Sequence, residues 1–186
     1  MRRDDVRRKL IYALLLLAII TLAPAARFPE FSLRSSRGET VTLDSLLSLG
    51  KPLVIVFWAT WCKPCNKQLV SIRTYIEDLH NNPGFITIAI CEDDPRSIRY
   101  ARGTAKKEGW DHLLILYDEA GALSDRAGVI DIPELFIVNA EGKVLYRHIG
   151  FNPGDEKIIH EKIEQVINQG KGSHTASVTV GVIGSE

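Results

Sequence analysis

The sequence predicts an α/β domain: a parallel central sheet, helices on both faces, and antiparallel strands added at the edge. Three patterns predict it. Residues 53–58, 85–90 and 113–117 are almost wholly apolar, as expected of strands covered on both faces. Stretches of helical period separate them. Two further apolar runs, residues 135–138 and 143–146, bracket Asn139-Ala140-Glu141-Gly142, which reads as a hairpin. Strands alternating with helices give a parallel sheet covered on both sides, and the closing hairpin supplies the antiparallel edge.

The elements follow in order. Residues 31–34 and 40–43 flank a Gly-containing loop, Ser35-Ser36-Arg37-Gly38-Glu39, and predict an N-terminal hairpin. Asp44 is expected to cap a short helix that Gly50 and Pro52 stop. After the strand at 53–58, Cys65, Leu69, Ile72, Ile76 and Leu79 recur at helical spacing and form one apolar stripe. Asn82-Pro83-Gly84 ends that helix, and a strand at 85–90 follows. A helix over about 95–108 is closed by Gly109, and a third strand and a short helix at 120–127 come next. Ile159, Ile163, Val166 and Ile167 give the last helix its buried face up to Gly170. The expected division is a leader at 1–26, a folded domain at 27–170 and a mobile tail at 171–186.

Composition narrows the function. The 23 basic and 23 acidic side chains cancel, so no electrostatic footprint for nucleic acid is present. Five of the basic residues (Arg2, Arg3, Arg7, Arg8, Lys9) precede the apolar run 10–23, which ends in Ala23-Pro24-Ala25. That is the layout of a signal peptide or, if uncleaved, of a membrane anchor, and either would export the domain.

Chemistry concentrates in Trp58-Ala59-Thr60-Trp61-Cys62-Lys63-Pro64-Cys65, where a buried strand gives way to a helix. Cys65 opens the apolar stripe, so its sulfur is expected to face the core. Cys62 falls at the helix start, where unpaired N–H groups and the helix dipole favour a thiolate. Pro64 suits the first turn, where its missing N–H has no helical partner. Cys62 would then face solvent and attack a substrate disulfide, and Cys65 would resolve the mixed disulfide. Other readings of the pair are weaker. A zinc site needs four ligands and no second Cys-x-x-Cys exists. Haem attachment needs His where Asn66 stands. A static structural disulfide is the third reading. Cys91, the remaining cysteine, is expected to be a small buried hydrophobe at the end of the second strand.

The segment Trp58 to Cys65 resembles the active-site motif of the thioredoxin superfamily. Gly128-Val129-Ile130-Asp131-Ile132-Pro133, followed by a strand, resembles that superfamily's cis-proline segment. The preceding hairpin, the leader and Tyr146-Arg147-His148-Ile149-Gly150 are most similar to membrane-anchored, extracytoplasmic thiol–disulfide oxidoreductases of the TlpA/ResA type, over about residues 27 to 168. The resemblance implies a thioredoxin-like fold: a central mixed β-sheet with helices on both faces, an N-terminal β-hairpin and a central inserted α/β element. It implies that Cys62 attacks, that Cys65 resolves, and that Pro133 is cis beside them with the Ile132 backbone offered to a substrate strand. Trp61, Lys63, Pro64, Ile132 and Pro133 form the expected substrate-facing set, and Trp58 is expected in the core. No metal or cofactor is expected beyond the redox-active Cys62–Cys65 disulfide. The partners implied are protein thiols or disulfides and a thiol electron donor, with membrane contact if the leader is retained, and cytochrome c maturation is one possible setting.

The chain departs from those patterns. Val56 stands where thioredoxins carry a buried Asp, and Gln68 where many anchored relatives carry Glu. Glu92 and Glu134 are the remaining candidates for moving the Cys65 proton. A thiol peroxidase on the same fold and a non-catalytic peptide-binding module are the competing functions. The first would consume peroxide without Cys65, and the second would survive loss of Cys62.

Overall fold

A computed structural model describes residues 26–79, 84–110 and 113–175, with side chains to residue 170. The leader up to residue 25, Asn82 and Pro83, and the tail beyond 175 lie outside the described residues.

The chain runs β1 (Ser32–Ser35), β2 (Thr40–Thr42), α1 (Leu43–Leu47), β3 (Leu53–Trp58), α2 (Lys63–Asp78), β4 (Ile86–Cys91), α3 (Ile98–Lys107), β5 (Leu114–Tyr117), α4 (Ala122–Ala127), β6 (Glu134–Val138), β7 (Val144–Ile149) and α5 (Asp155–Thr175). One seven-stranded sheet has the order β2-β1-β5-β4-β3-β6-β7. Among the described strands, only the β3–β4 and β4–β5 neighbours pair in parallel. The closing hairpin is not confined to the edge as the sequence suggests. Strand β6 lies antiparallel against β3, inside the sheet, and only β7 is marginal. All six residues of β3 and all five of β6 are buried, whereas β7 alternates between half-buried and exposed.

Two apolar cores sandwich the sheet. Val54, Val56 and Trp58 of β3 pack with α2, α3 and α5 on one face. Leu53, Ile55 and Phe57 pack with Leu43 and Leu46 of α1 and Leu123 of α4 on the other. The alternation of β3 side chains therefore divides the molecule into an α2 face and an α4 face.

Two boundaries differ from the sequence reading. Thr42, not Asp44, caps α1: its hydroxyl accepts the Ser45 N–H at 3.2 Å, and Ser45 Oγ accepts the Thr42 N–H at 3.2 Å. This reciprocal pair satisfies two otherwise orphaned donors. Helix α5 also passes through Gly170 and continues to Thr175, because a single glycine weakens a helix without ending it.

Candidate active site

Cys62 and Cys65 meet at the C-terminal end of β3, where the chain turns into α2. Ala59 accepts the Cys62 N–H at 3.1 Å, which closes the turn. Cys62 is then the N-cap of α2: its carbonyl accepts the Asn66 N–H, and its Sγ accepts the Cys65 N–H at 3.2 Å. Lys63 and Pro64 occupy the first two helical positions, where the ring of Pro64 costs no hydrogen bond. The two sulfurs form a disulfide. In the dithiol state the same N–H would stabilise a thiolate on Cys62 and not on Cys65.

The expectation that Cys62 faces solvent is corrected. Cys62 is only 4% exposed and Cys65 not at all, so the asymmetry survives only as a small residual exposure of the first cysteine. The covering comes from the segment before β6. The Ile132–Pro133 peptide is cis, and the Ile132 carbonyl oxygen lies 3.7 Å from Cys62 Sγ. Pairing of Glu134 with Phe57 in the β3–β6 register brings that segment to the end of β3. Trp61 (72% exposed), next to Cys62, and Ile130 (77% exposed), two residues before Ile132, are apolar groups left in solvent. Lys63 and Pro64 are exposed, Ile132 is half-buried and Pro133 is buried. The structure thus gathers the expected residues at one rim, with Trp58 in the core, edge-on to Trp110 at 5.1 Å.

The two carboxylate candidates do not share a face with Cys65. Glu134 is fully buried, pairs in register with Phe57, and so projects to the α4 face. Its carboxylate accepts the Ile130 N–H at 3.0 Å and an N–H of Arg147, whose other nitrogen donates to the Gly128 carbonyl. One ion pair therefore staples both ends of the segment leading to Pro133, and the Gly150 N–H adds a bond to the Pro133 carbonyl at 2.8 Å. Glu92 has Ser124, Asp118 and Asp125 of the α4 side as neighbours. Burial raises its pKa, the nearby Ser124 hydroxyl opposes this, and the charges of Asp118, Glu134 and Asp125 raise it further. On the Cys65 face the nearest polar side chain along α2 is Gln68, fully buried one turn on, with neither amide atom bonded to a described group.

Sequence reasoning missed Asp93. This residue is 3% exposed and accepts the Thr60 N–H and the Thr60 hydroxyl, both at 3.0 Å, so it holds the turn that carries Trp61 and Cys62. It also accepts the Cys91 thiol at 3.2 Å. Cys91 is fully buried, as expected, and burial pushes its pKa upward. The only signal for Asp93 was a carboxylate placed just after a strand end.

Among the described residues, no group of three or more His, Cys, Asp or Glu side chains is gathered for a metal. Nor is any helix among them long and apolar enough to cross a membrane. A cavity of about 430 Å³, lined by Pro52, Asn139, Leu145 and Val166 among others, touches none of the site residues.

The sequence model of the redoxin family matches residues 23–167. The thiol:disulfide interchange protein DsbE of Vibrio cholerae is 31% identical over 122 residues, covering 66% of this chain and 62% of that protein. Its counterpart from Escherichia coli K12 is 32% identical over 128 residues, covering 67% and 65%. The chain thus spans a little under two thirds of the length of these curated relatives. The solution structure of a thioredoxin-like protein from Porphyromonas gingivalis superposes with a TM-score of 0.67 at 32% identity, covering 80% of this chain and 96% of that one. A matched stretch that takes in the cysteine turn, the cis-proline segment and every strand of the sheet leaves one assignment: the chain belongs to the redoxin family and has a thioredoxin-like fold.

Proposed function

We propose that this protein is an extracytoplasmic thiol–disulfide oxidoreductase that reduces disulfides of exported proteins. One observation carries the reading: Cys62 and Cys65 are disulfide-bonded, with Cys62 as the N-cap of α2 and its sulfur on the Cys65 N–H. Similarity to proteins named for thiol–disulfide interchange supports it, and the basic, then apolar, N-terminal segment supports export.

In the dithiol form the Cys62 thiolate attacks one sulfur of a substrate disulfide. A mixed disulfide forms and the other substrate sulfur leaves as a thiolate, which takes a proton from water. Cys65 loses its proton and attacks Cys62 Sγ. The second substrate thiolate is released and the Cys62–Cys65 bond closes. Two electrons pass from the pair to the substrate, and a thiol donor returns them. Trp61 and Ile130 offer apolar contact to the client, and the Ile132 backbone offers hydrogen bonds to an extended segment. Maturation of c-type cytochromes is the setting that the resemblance to TlpA/ResA-type oxidoreductases suggests.

The test is trapping. A Cys65→Ala variant incubated with oxidised exported proteins should accumulate covalent adducts that reductant releases, with peptide mapping placing them on Cys62. Absence of adducts under both oxidising and mildly reducing conditions would reject the assignment.

A further inference from the structure

The charge of this molecule is unevenly placed. Between Pro95 and Lys107 the chain carries five basic side chains (Arg96, Arg99, Arg102, Lys106, Lys107) and no acidic one. Outside the leader, the chain as a whole has more acidic than basic residues. Helix α3 fixes this block at the surface. Ala101 and Ala105 pack into the core, while Arg99, Arg102 and Lys106 follow one another at helical spacing on the exposed side. Arg102 stands between two surface grooves, one lined with Arg96 and Arg99 and the other with Arg37 and Lys106. Among the described residues no carboxylate forms an ion pair with any of these five groups. Tyr100 is 59% exposed beside them, with the Arg99 guanidinium 5.1 Å from its ring.

The face is also connected to the chemistry. Asp93, three residues before Arg96, holds Thr60 in the turn that presents Cys62. A partner lying along α3 therefore reaches toward the rim of the active site.

We propose that the basic face of α3, with Arg37 beside it, docks the acidic surface of a protein that exchanges its disulfide with Cys62. This rests on the oxidoreductase reading above. A protein fits better than a lipid surface. The apolar side of α3 is already spent on the core, so no bulky apolar stripe is left to enter a bilayer. Arginines with an exposed tyrosine are also the composition of protein interface anchors. Opposite charge brings such a partner in faster, and salt weakens the effect.

Two synthetic peptides test this. Each contains one intramolecular disulfide and a tail, glutamate-rich in one and glutamine-rich in the other. The reduced full-length protein is expected to reduce the glutamate peptide about tenfold faster at low ionic strength. Physiological salt should erase most of that advantage. An Arg96→Glu/Arg99→Glu/Arg102→Glu variant should lose the advantage and reduce the glutamine peptide at the wild-type rate. An Arg99→Gln/Arg102→Gln variant, which adds no repulsion, should show an intermediate loss. Equal rates for the two peptides in wild type, or a preference that survives charge reversal, would overturn the proposal. A fluorescent glutamate peptide with serines for cysteines is titrated alongside. If neither disulfide is reduced, the oxidoreductase reading fails, and this titration still decides docking: tighter binding to wild type than to the reversed variant supports it, and equal binding rejects it. Wild-type binding to phosphatidylglycerol vesicles that the reversed variant loses, without a peptide preference, would assign the face to lipid and reject a protein partner.

Discussion

Thr60 is two residues from Cys62, and both its N–H and its hydroxyl end on Asp93. Asp93→Asn turns a two-oxygen acceptor into one oxygen and one donor that meets N–H and O–H groups. Urea unfolding is expected to show a loss of about 1–3 kcal/mol, the range for stranding buried polar groups. The same carboxylate holds the thiol of Cys91, which burial keeps protonated. In the reduced native protein a small alkylating reagent should therefore label Cys62 first and Cys91 only after denaturation, as mass spectrometry of the peptides can establish. Glu134 and Arg147 form the other residue-scale device. Arg147→Met leaves a fully buried carboxylate without its cation. With Arg147 37% exposed, the expected cost is about 1–3 kcal/mol, below that of a wholly buried pair. Replacing both partners, with Glu134→Leu added, should recover most of it. Neither device could be read from the sequence. Thr60 and Asp93 lie 33 residues apart, and Glu134 meets Arg147 only as a diagonal neighbour in the β6–β7 register.

At the scale of elements, the join of β3 to α2 was the most legible part. An uninterrupted apolar run, two cysteines, a first-turn proline and a helical stripe specify strand, cap and helix from local chemistry alone. The position of β6 was not legible, because a buried strand reads the same at the edge and in the interior, and only the pairing of Phe57 with Glu134 distinguishes them. That pairing takes Glu134 away from the face of Cys65, and Glu92, one residue past Cys91, faces the α4 side as well, which leaves Gln68 as the polar neighbour on α2. Element packing gives Glu92 a measurable signature. Its pKa is raised in the folded protein, so between the ordinary glutamate value and the raised one the native state holds more proton than the unfolded chain. Stability falls as pH rises through that window. Glu92→Gln should thus be more stable than wild type at neutral pH, and the difference should vanish below about pH 4.3. Thermal melts across that range measure it directly. If the variant is no more stable at pH 7, the raised pKa is wrong.

Across the whole molecule, the sheet holds the cysteines and the start of the described chain at opposite ends. The cysteines sit at the C-terminal end of β3, while Ala26, where the described chain begins, accepts the Val144 N–H at 3.0 Å beside the loop that closes β6 and β7. Leu53 pairs with Val138 at that end and Phe57 with Glu134 at the other. Ala26 therefore lies at the pole opposite the reacting sulfurs. Burial sets the order of local opening. Strands β3 and β6 should give the slowest amide exchange and β7, with β1 and β2, the fastest. Uniform exchange across the sheet would contradict the two-core packing. The pH dependence of Cys62 alkylation in the reduced Cys65→Ala protein reads the acidity of the attacking thiol itself. An N-cap sulfur on the N–H of residue 65 predicts half-maximal reactivity well below the free-cysteine value of about 8.5. A midpoint at or above that value would mean that the helix start does not activate Cys62.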